Sequence, residues 1–331
     1  MYRAQYGPST PVRINLLNRR MTLLKGADNI TALFKSSRDL SSEHWLVQVL
    51  VNAFGVEVAD APFYLADDTG ISNQPDPRSK MANPEHRIFH LVYKSVHSGL
   101  GGASLAEMER QFVRHLSTQI YETDFKSDRW TEISDLYGSF IRKISFRASM
   151  VSLCGPHVFK VIPTFADDFW VFDSVMPNLF KEIPRWLVPA SYMARDKMKE
   201  NLQKWQAFAY EHYDVCQGQQ DRTEWEEFFG SRLMRTRHEF FQKMPLSKET
   251  VAADDLGLIW AYVALSSFSI FIFEVNRLTH EQGDRKYHPC DRLDAIGGSP
   301  ASRSSTESSG RGCSLRLPGS VRPESDGGRH S

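Results

Sequence analysis

The chain lacks an excess of charge of either sign: forty Lys and Arg stand against forty Asp and Glu, for a formal net charge of zero. No global field therefore steers it toward nucleic acid or an anionic surface, and no nucleic-acid partner is expected. It is poor in cysteine. Cys154, Cys216, Cys290 and Cys313 lie far apart without a C-x-x-C pair, whereas a disulfide framework or a zinc site needs tighter patterning, so free thiols in a reducing compartment are the expectation. Residues 1–7 hold no apolar run, so no secretory signal or N-terminal anchor is expected. G-x-S-x-G, H-E-x-x-H and G-x-x-x-x-G-K-[ST] are all absent, leaving hydrolase, metalloprotease and P-loop chemistry without support.

What is present is apolar and aromatic: 41% of the 331 residues are hydrophobic and 12% aromatic, enough for one large domain or two modest ones. That supply stops near His280. Residues 281–331 hold ten Ser, eight Gly and seven Arg, with Tyr287 the sole aromatic, and cannot bury enough area to offset their ordering entropy. The expected organisation is an ordered part over 1–280 followed by a structureless Ser/Gly/Arg-rich tail over 281–331.

Within the first part, Val12, Ile14 and Leu16 alternate, a polar turn follows at Asn18-Arg19-Arg20, and Met21 and Leu23 resume the alternation, which predicts a β hairpin. The rest reads as helix. Ser104-Leu-Ala-Glu107 has the form of a capping box, followed by Leu105, Met108, Phe112, Leu116 and Ile120 on one face. Leu136, Phe140, Ile144, Ala148 and Val151 repeat up to Gly155-Pro156. Thr164 is expected to cap a helix carrying Phe165, Phe169 and Phe172; Met198, Leu202, Trp205 and Phe208 stripe another. Thr223-Glu-Trp-Glu226 is expected to open a further helix with Trp225, Phe229, Leu233 and Phe240 along it. The fold class is thus mainly α with a small N-terminal hairpin.

Leu256–Phe273 is uncharged and mostly apolar over 18 residues, between Asp254-Asp255 and Glu274. Two readings compete, a membrane span and a helix buried on all sides. The acidic flanks, and the small residues Gly257, Ala261, Ala264, Ser266, Ser267 and Ser269, favour the buried helix.

The order of these elements carries a family resemblance. The hairpin, the short helix Ala27–Lys35, the run His97–Leu105, the run Leu153-Cys-Gly-Pro-His-Val-Phe-Lys160 through Pro184-Arg-Trp-Leu187 and Pro189, and the start Asp254-Asp255-Leu-Gly-Leu-Ile-Trp-Ala261 resemble fungal cytochrome P450s near the sterol 7α-hydroxylase and prostacyclin synthase group. The resemblance covers roughly Tyr6 to Val275, from the first sheet through the long central helix of that fold. It implies an incomplete P450 fold and, in the complete family member, a heme monooxygenase that inserts oxygen into apolar, sterol-like or secondary-metabolite substrates. NADPH-cytochrome P450 reductase at the endoplasmic reticulum membrane would supply the electrons. The resemblance places Ala264, Ser266 and Ser267 on the helix face toward heme and substrate.

The departures are equally specific. The family holds iron through a cysteine in F-x-x-G-x-x-x-C-x-G, and none of the four cysteines stands in that pattern. Glu107-Met-Glu-Arg110 and Glu182-Ile-Pro-Arg185 match the family's E-x-x-R letters but lie in other elements. No catalytic, cofactor-binding or metal residue is assigned on this basis, stable heme binding by this chain is not expected, and its place would be the cytoplasm or a loose membrane association. A heme held by His97 or His115 and a non-enzymatic membrane or interaction protein spanning at 256–273 are the competing readings.

Overall fold

The computed structural model describes residues 10–16, 19–36, 40, 42–81, 83–122, 142–213 and 223–263. The proposed tail at 281–331, the stripe positions Leu136 and Phe140, and Phe268 lie outside them.

Two compact units divide the chain, Met1–Val49 and Leu50–Ser331. In the first, β1 (Val12–Leu16) pairs antiparallel with β2 (Arg19–Leu23). The register sets Val12 opposite Leu23 and Ile14 opposite Met21, which gathers these apolar residues onto one face; Arg19 and Arg20, expected in the turn, instead begin β2 and pair with Leu16 and Asn15. Gly26, at φ 90°, makes the turn into α1 (Ala27–Lys35), a conformation that side chains with a Cβ resist. α2 (Glu43–Val49) completes this unit.

The second unit opens on a π-helical turn, Leu50–Phe54, and continues with α3 (Ala61–Leu65) and a long connection to α4 (Ile88–Gly99). Buried Arg87 ties that connection down, donating to the carbonyls of Ser72 at 2.6 Å and Asn73 at 3.0 Å. α5 (Gly102–Glu122) packs on α6 (Phe146–Cys154), and after α7 (His157–Val161) the pair α8 (Phe165–Phe180) and α9 (Pro189–His212) pack along each other. Strands β3 (Trp225–Glu226) and β4 (Gly230–Ser231) lead into α10 (Arg232–Phe241), which lies on α4; α11 begins at 248 and is described to 263.

The aromatic stripes are core. Phe165, Phe169 and Phe172 of α8 and Met198, Leu202 and Trp205 of α9 are almost fully buried, and Phe146 of α6 stacks against Phe169 at 4.8 Å. At about 25 cal/mol per Å² of apolar surface, side chains of this size contribute roughly 2–3 kcal/mol each.

Four local expectations are revised. Ser104 does not cap α5: it lies inside the helix, buried, and its hydroxyl donates to Glu224 at 2.5 Å, while Glu107 pairs with Arg110 and Gln111. Of the α5 stripe, Met108 is buried but Leu105 is exposed. Thr164 does occupy the cap position of α8, but its hydroxyl donates to the Asp168 carboxylate at 2.8 Å rather than accepting a backbone N–H.

Thr223–Glu226 opens no helix. The Glu226 carboxylate accepts the N–H groups of Phe228 and Phe229 at 2.8 and 2.5 Å, turning the chain back so that Trp225 pairs with Ser231. The Glu that suits a helix start satisfies a tight turn instead. Gly230 then reverses at φ 75°, and α10 starts after Ser231, whose hydroxyl accepts the Met234 N–H at 3.4 Å. This turn meets the end of α6 backbone to backbone. A Cβ on Gly155 (φ 78°) would collide with the carbonyl of Glu227, and one on Gly230 with Leu153 and Gly155.

Candidate functional site

α11 carries the polar and apolar groups that its position in the sequence promised. Its first turn is fixed by one carboxylate. Asp60, just before α3, accepts the Ser247 N–H at 3.1 Å, the Ser247 hydroxyl at 2.5 Å and the Thr250 hydroxyl at 2.6 Å. Burial pushes the Asp60 carboxyl up, but the hydrogen bonds from Ser247 and Thr250 together outweigh it and hold the carboxyl below its usual range.

One turn further, Asp254 and Asp255 close on a single guanidinium. Arg237 of α10, with a side chain 1% exposed, donates through Nε to Asp255 at 2.7 Å and through Nη2 to Asp254 at 2.5 Å. The remaining carboxylate oxygens are satisfied from two other helices: Tyr64 Oη of α3 donates to Asp254 at 2.9 Å, and Gln206 Nε2 of α9 to Asp255 at 2.7 Å. Burial pushes the Asp255 carboxyl up against the opposing pull of Arg237. Burial, then the Asp254 charge, pushes the Tyr64 phenol well above its ordinary value. Arg237 Nη1 is buried without a hydrogen-bond partner. Four helices are thereby joined at one ionic point.

The last described turns of α11 face protein. Trp260 donates its indole N–H to Asp173 at 2.9 Å, with its ring 6.0 Å from Phe54 and 5.4 Å from Phe180. Tyr262 Oη lies 3.4 Å from the Ser152 hydroxyl of α6. Gly257 leaves room for the Phe54 ring, which stands 3.4 Å from where a Cβ would be. No helix among the described residues is long and apolar enough to cross a membrane.

The assigned helix-face residues Ala264, Ser266 and Ser267 lie outside the described residues, as do Cys216, Cys290 and Cys313. Cys154 ends α6, wholly buried; burial and then the Asp255 charge push its thiol well above the ordinary range. A thiol held protonated in this way does not fit the role of a thiolate ligand to heme iron. His97 is exposed beside Tyr93, and His115 lines a surface cleft; the two are not brought together. No group of three or more His, Cys, Asp or Glu suited to a metal ion occurs among the described residues. Of the E-x-x-R letter matches, Glu107 and Arg110 pair along one turn of α5, and Arg185 pairs with Asp196 at 3.1 Å.

Arg237 went unnoticed in the sequence, although a signal existed. It falls at the i+4 position from Leu233 and three before Phe240, on the buried stripe of its own helix, where a charge requires a partner. The adjacent acids Asp254-Asp255 at the head of an apolar run are the complementary half.

A mainly helical fold with an N-terminal hairpin and a long apolar helix anchored by acids at its start agrees with the comparisons. No family model matches the chain. It is 33% identical over 278 residues to the cytochrome P450 monooxygenase fsoE of Humicola fuscoatra, covering 82% of this chain and 45% of the relative. It is 27% identical over 259 residues to efuG of Hormonema carpetanum (77% and 43%) and 23% over 242 residues to calL of Penicillium decumbens (73% and 44%), both also cytochrome P450 monooxygenases. The chain is homologous to fungal cytochrome P450 monooxygenases along this stretch and spans a little under half the length of each relative it matches. The names of these relatives do not extend to the sterol 7α-hydroxylase group.

Proposed function

We propose that residues 1–280 form the helical front portion of a P450-type monooxygenase, with α11 as the central helix against which heme and an apolar substrate lie in the complete enzyme. The observation that carries this reading is the 33% identity over 278 residues to a P450 monooxygenase. In the complete enzyme, heme supplies oxygen activation; the residues described here contribute position. The Asp60, Arg237 and Asp173 contacts hold α11 at its first turn, its second turn and near residue 260. Preorganisation of this kind keeps a helix face aligned with a bound substrate without reorganisation during turnover. NADPH-cytochrome P450 reductase is the expected electron donor, and an apolar secondary metabolite the expected substrate class.

This chain alone is expected to hold no heme through sulfur, because Cys154 is a buried thiol and Cys290 and Cys313 lie outside the family's ligand pattern. Carbon monoxide difference spectroscopy on the reduced, heme-reconstituted chain tests it. The expected result is no thiolate-type band and no NADPH-dependent hydroxylation with reductase present. A stoichiometric thiolate band that disappears in Cys290→Ser or Cys313→Ser would overturn it. Transcript sequence beyond the codon for His280 tests the family reading separately: an in-frame continuation with E-x-x-R and the cysteine motif is expected to give the band.

A further inference from the structure

On the outer side of the helix pair α5 and α6 lies a cleft of about 230 Å³ whose lining has no part in the α11 site. Its polar groups come from three elements: His115 and Gln119 of α5, Arg147 of α6 and Lys160 of α7. Its apolar wall is Val151, Pro156 and Phe159. Ser152, which meets Tyr262 of α11, is five positions on from Arg147, about 140° around α6, so the cleft faces away from α11.

The charge of the cleft is of one sign. Among the described residues no Asp or Glu lines it, and Arg147 and Lys160 have no carboxylate partner; the Arg147 guanidinium instead lies 4.4 Å over the Phe159 ring. A guanidinium held on an aromatic face keeps its outer N–H groups for an acceptor, and the neighbouring ammonium supplies a second charge. In a chain with no net charge, two cations beside an apolar wall form a local feature, not a reflection of overall composition. Burial, and then the Arg114 charge, hold the His115 imidazole below its ordinary range, so near neutral pH it is uncharged; a bound anion would raise its affinity for a proton.

We infer that this cleft binds a small amphiphilic anion, with a sulfonate, phosphate or carboxylate head on Arg147 and Lys160 and a short aromatic or alkyl body on Val151, Pro156 and Phe159. Among the described residues the charged and titratable groups at the cleft are Arg114 and His115 on α5, Arg147 on α6 and Lys160 on α7, and His115 is the one that sets the pH dependence near neutrality. Affinity therefore rises as pH falls.

Titration calorimetry of the full chain with benzenesulfonate, whose charge does not change in this range, tests the inference. Saturable binding is expected below about 10 mM. Arg147→Met with Lys160→Met, which keeps bulk on the cleft floor, is expected to weaken it at least tenfold, and Lys160→Glu, at an exposed position, to do so by itself. Lowering the pH from about 7.5 to about 5.5 is expected to tighten binding several-fold in the parent chain and not in His115→Gln. Circular dichroism melts of each variant matched to the parent exclude loss of fold as the cause. Absence of saturable binding by the parent chain, or undiminished binding by folded Lys160→Glu, would overturn the inference.

Discussion

Arg237 shows what one charged side chain does when it is sealed in a core. Its guanidinium joins two carboxylates that have no other cationic partner among the described residues, and Tyr64 and Gln206 complete the set. Removing it leaves Asp254 and Asp255 facing each other without a counter-charge. Arg237→Met is therefore expected to destabilise the fold by about 3 kcal/mol or more, read as a lowered denaturant midpoint. Adding Asp255→Asn to that variant is expected to restore part of the loss, since it removes one stranded charge; a double variant less stable than Arg237→Met would contradict the ionic account. His238, the next residue, gives a pH prediction. It packs against Phe229 at 4.5 Å, with the Gln242 side-chain nitrogen 2.8 Å from Nε2, and burial lowers its pKa from 6.5 to about 4. The unfolded chain takes up this proton first as the pH falls. Stability from this group is thus complete above about pH 6.5 and is lost between there and about pH 4, up to roughly 3 kcal/mol in all. Equilibrium denaturation across that window should show a shallower slope in His238→Phe than in the parent.

At the scale of elements, the sharpest constraint is the crossing of α6 by the β3–β4 turn, where two glycines at positive φ stand back to back. Gly230→Ala is expected to cost about 3 kcal/mol, from backbone strain and from collision with the carbonyl of Leu153. A thermal melt unchanged by the substitution would show that the turn can move aside. The same place explains where the sequence misled. Thr223-Glu-Trp-Glu226 has helix-start chemistry, but its carboxylate finds the N–H groups of Phe228 and Phe229 in a reversed chain, because Gly155 and Gly230 let two backbones touch. Nothing in a local window announces Gly155, which lies far earlier in the sequence. By contrast, periodicity disclosed the hairpin and the buried stripes of α8 and α9, because each is decided by local alternation or by one apolar face, while the bounds of α1 follow from the family resemblance. The α11 anchors are half legible: Asp254-Asp255 stands out as an acidic flank, while Tyr64, Gln206 and Arg237 converge on it only in three dimensions.

Across the whole molecule, burial is unevenly distributed. Among the described residues of the first unit, α1 buries no side chain, and Ile14, Met21 and Leu23 of the hairpin are 40%, 54% and 56% exposed. In the second unit, α6, α8 and α9 carry most of the fully buried aromatic side chains. Local opening follows this distribution, since a two-stranded hairpin without a buried face is only marginally stable. Hydrogen-exchange mass spectrometry is expected to show early exchange in 12–23 and late exchange in α6, α8 and α9; equal protection of the hairpin would contradict it.

The bond from Tyr64 to Asp254 spans 190 residues of sequence. On a ribosome adding roughly 5–20 residues per second, the phenol emerges some 10–40 s before the carboxylate that will satisfy it. Throughout that interval α3 has the side chain it must bury and nothing to bury it against, and Gln206 and Arg237 are made before their acids as well. The ionic junction that joins these helices is thus among the later contacts that synthesis can complete, followed by those of Trp260 and Tyr262 on the same helix.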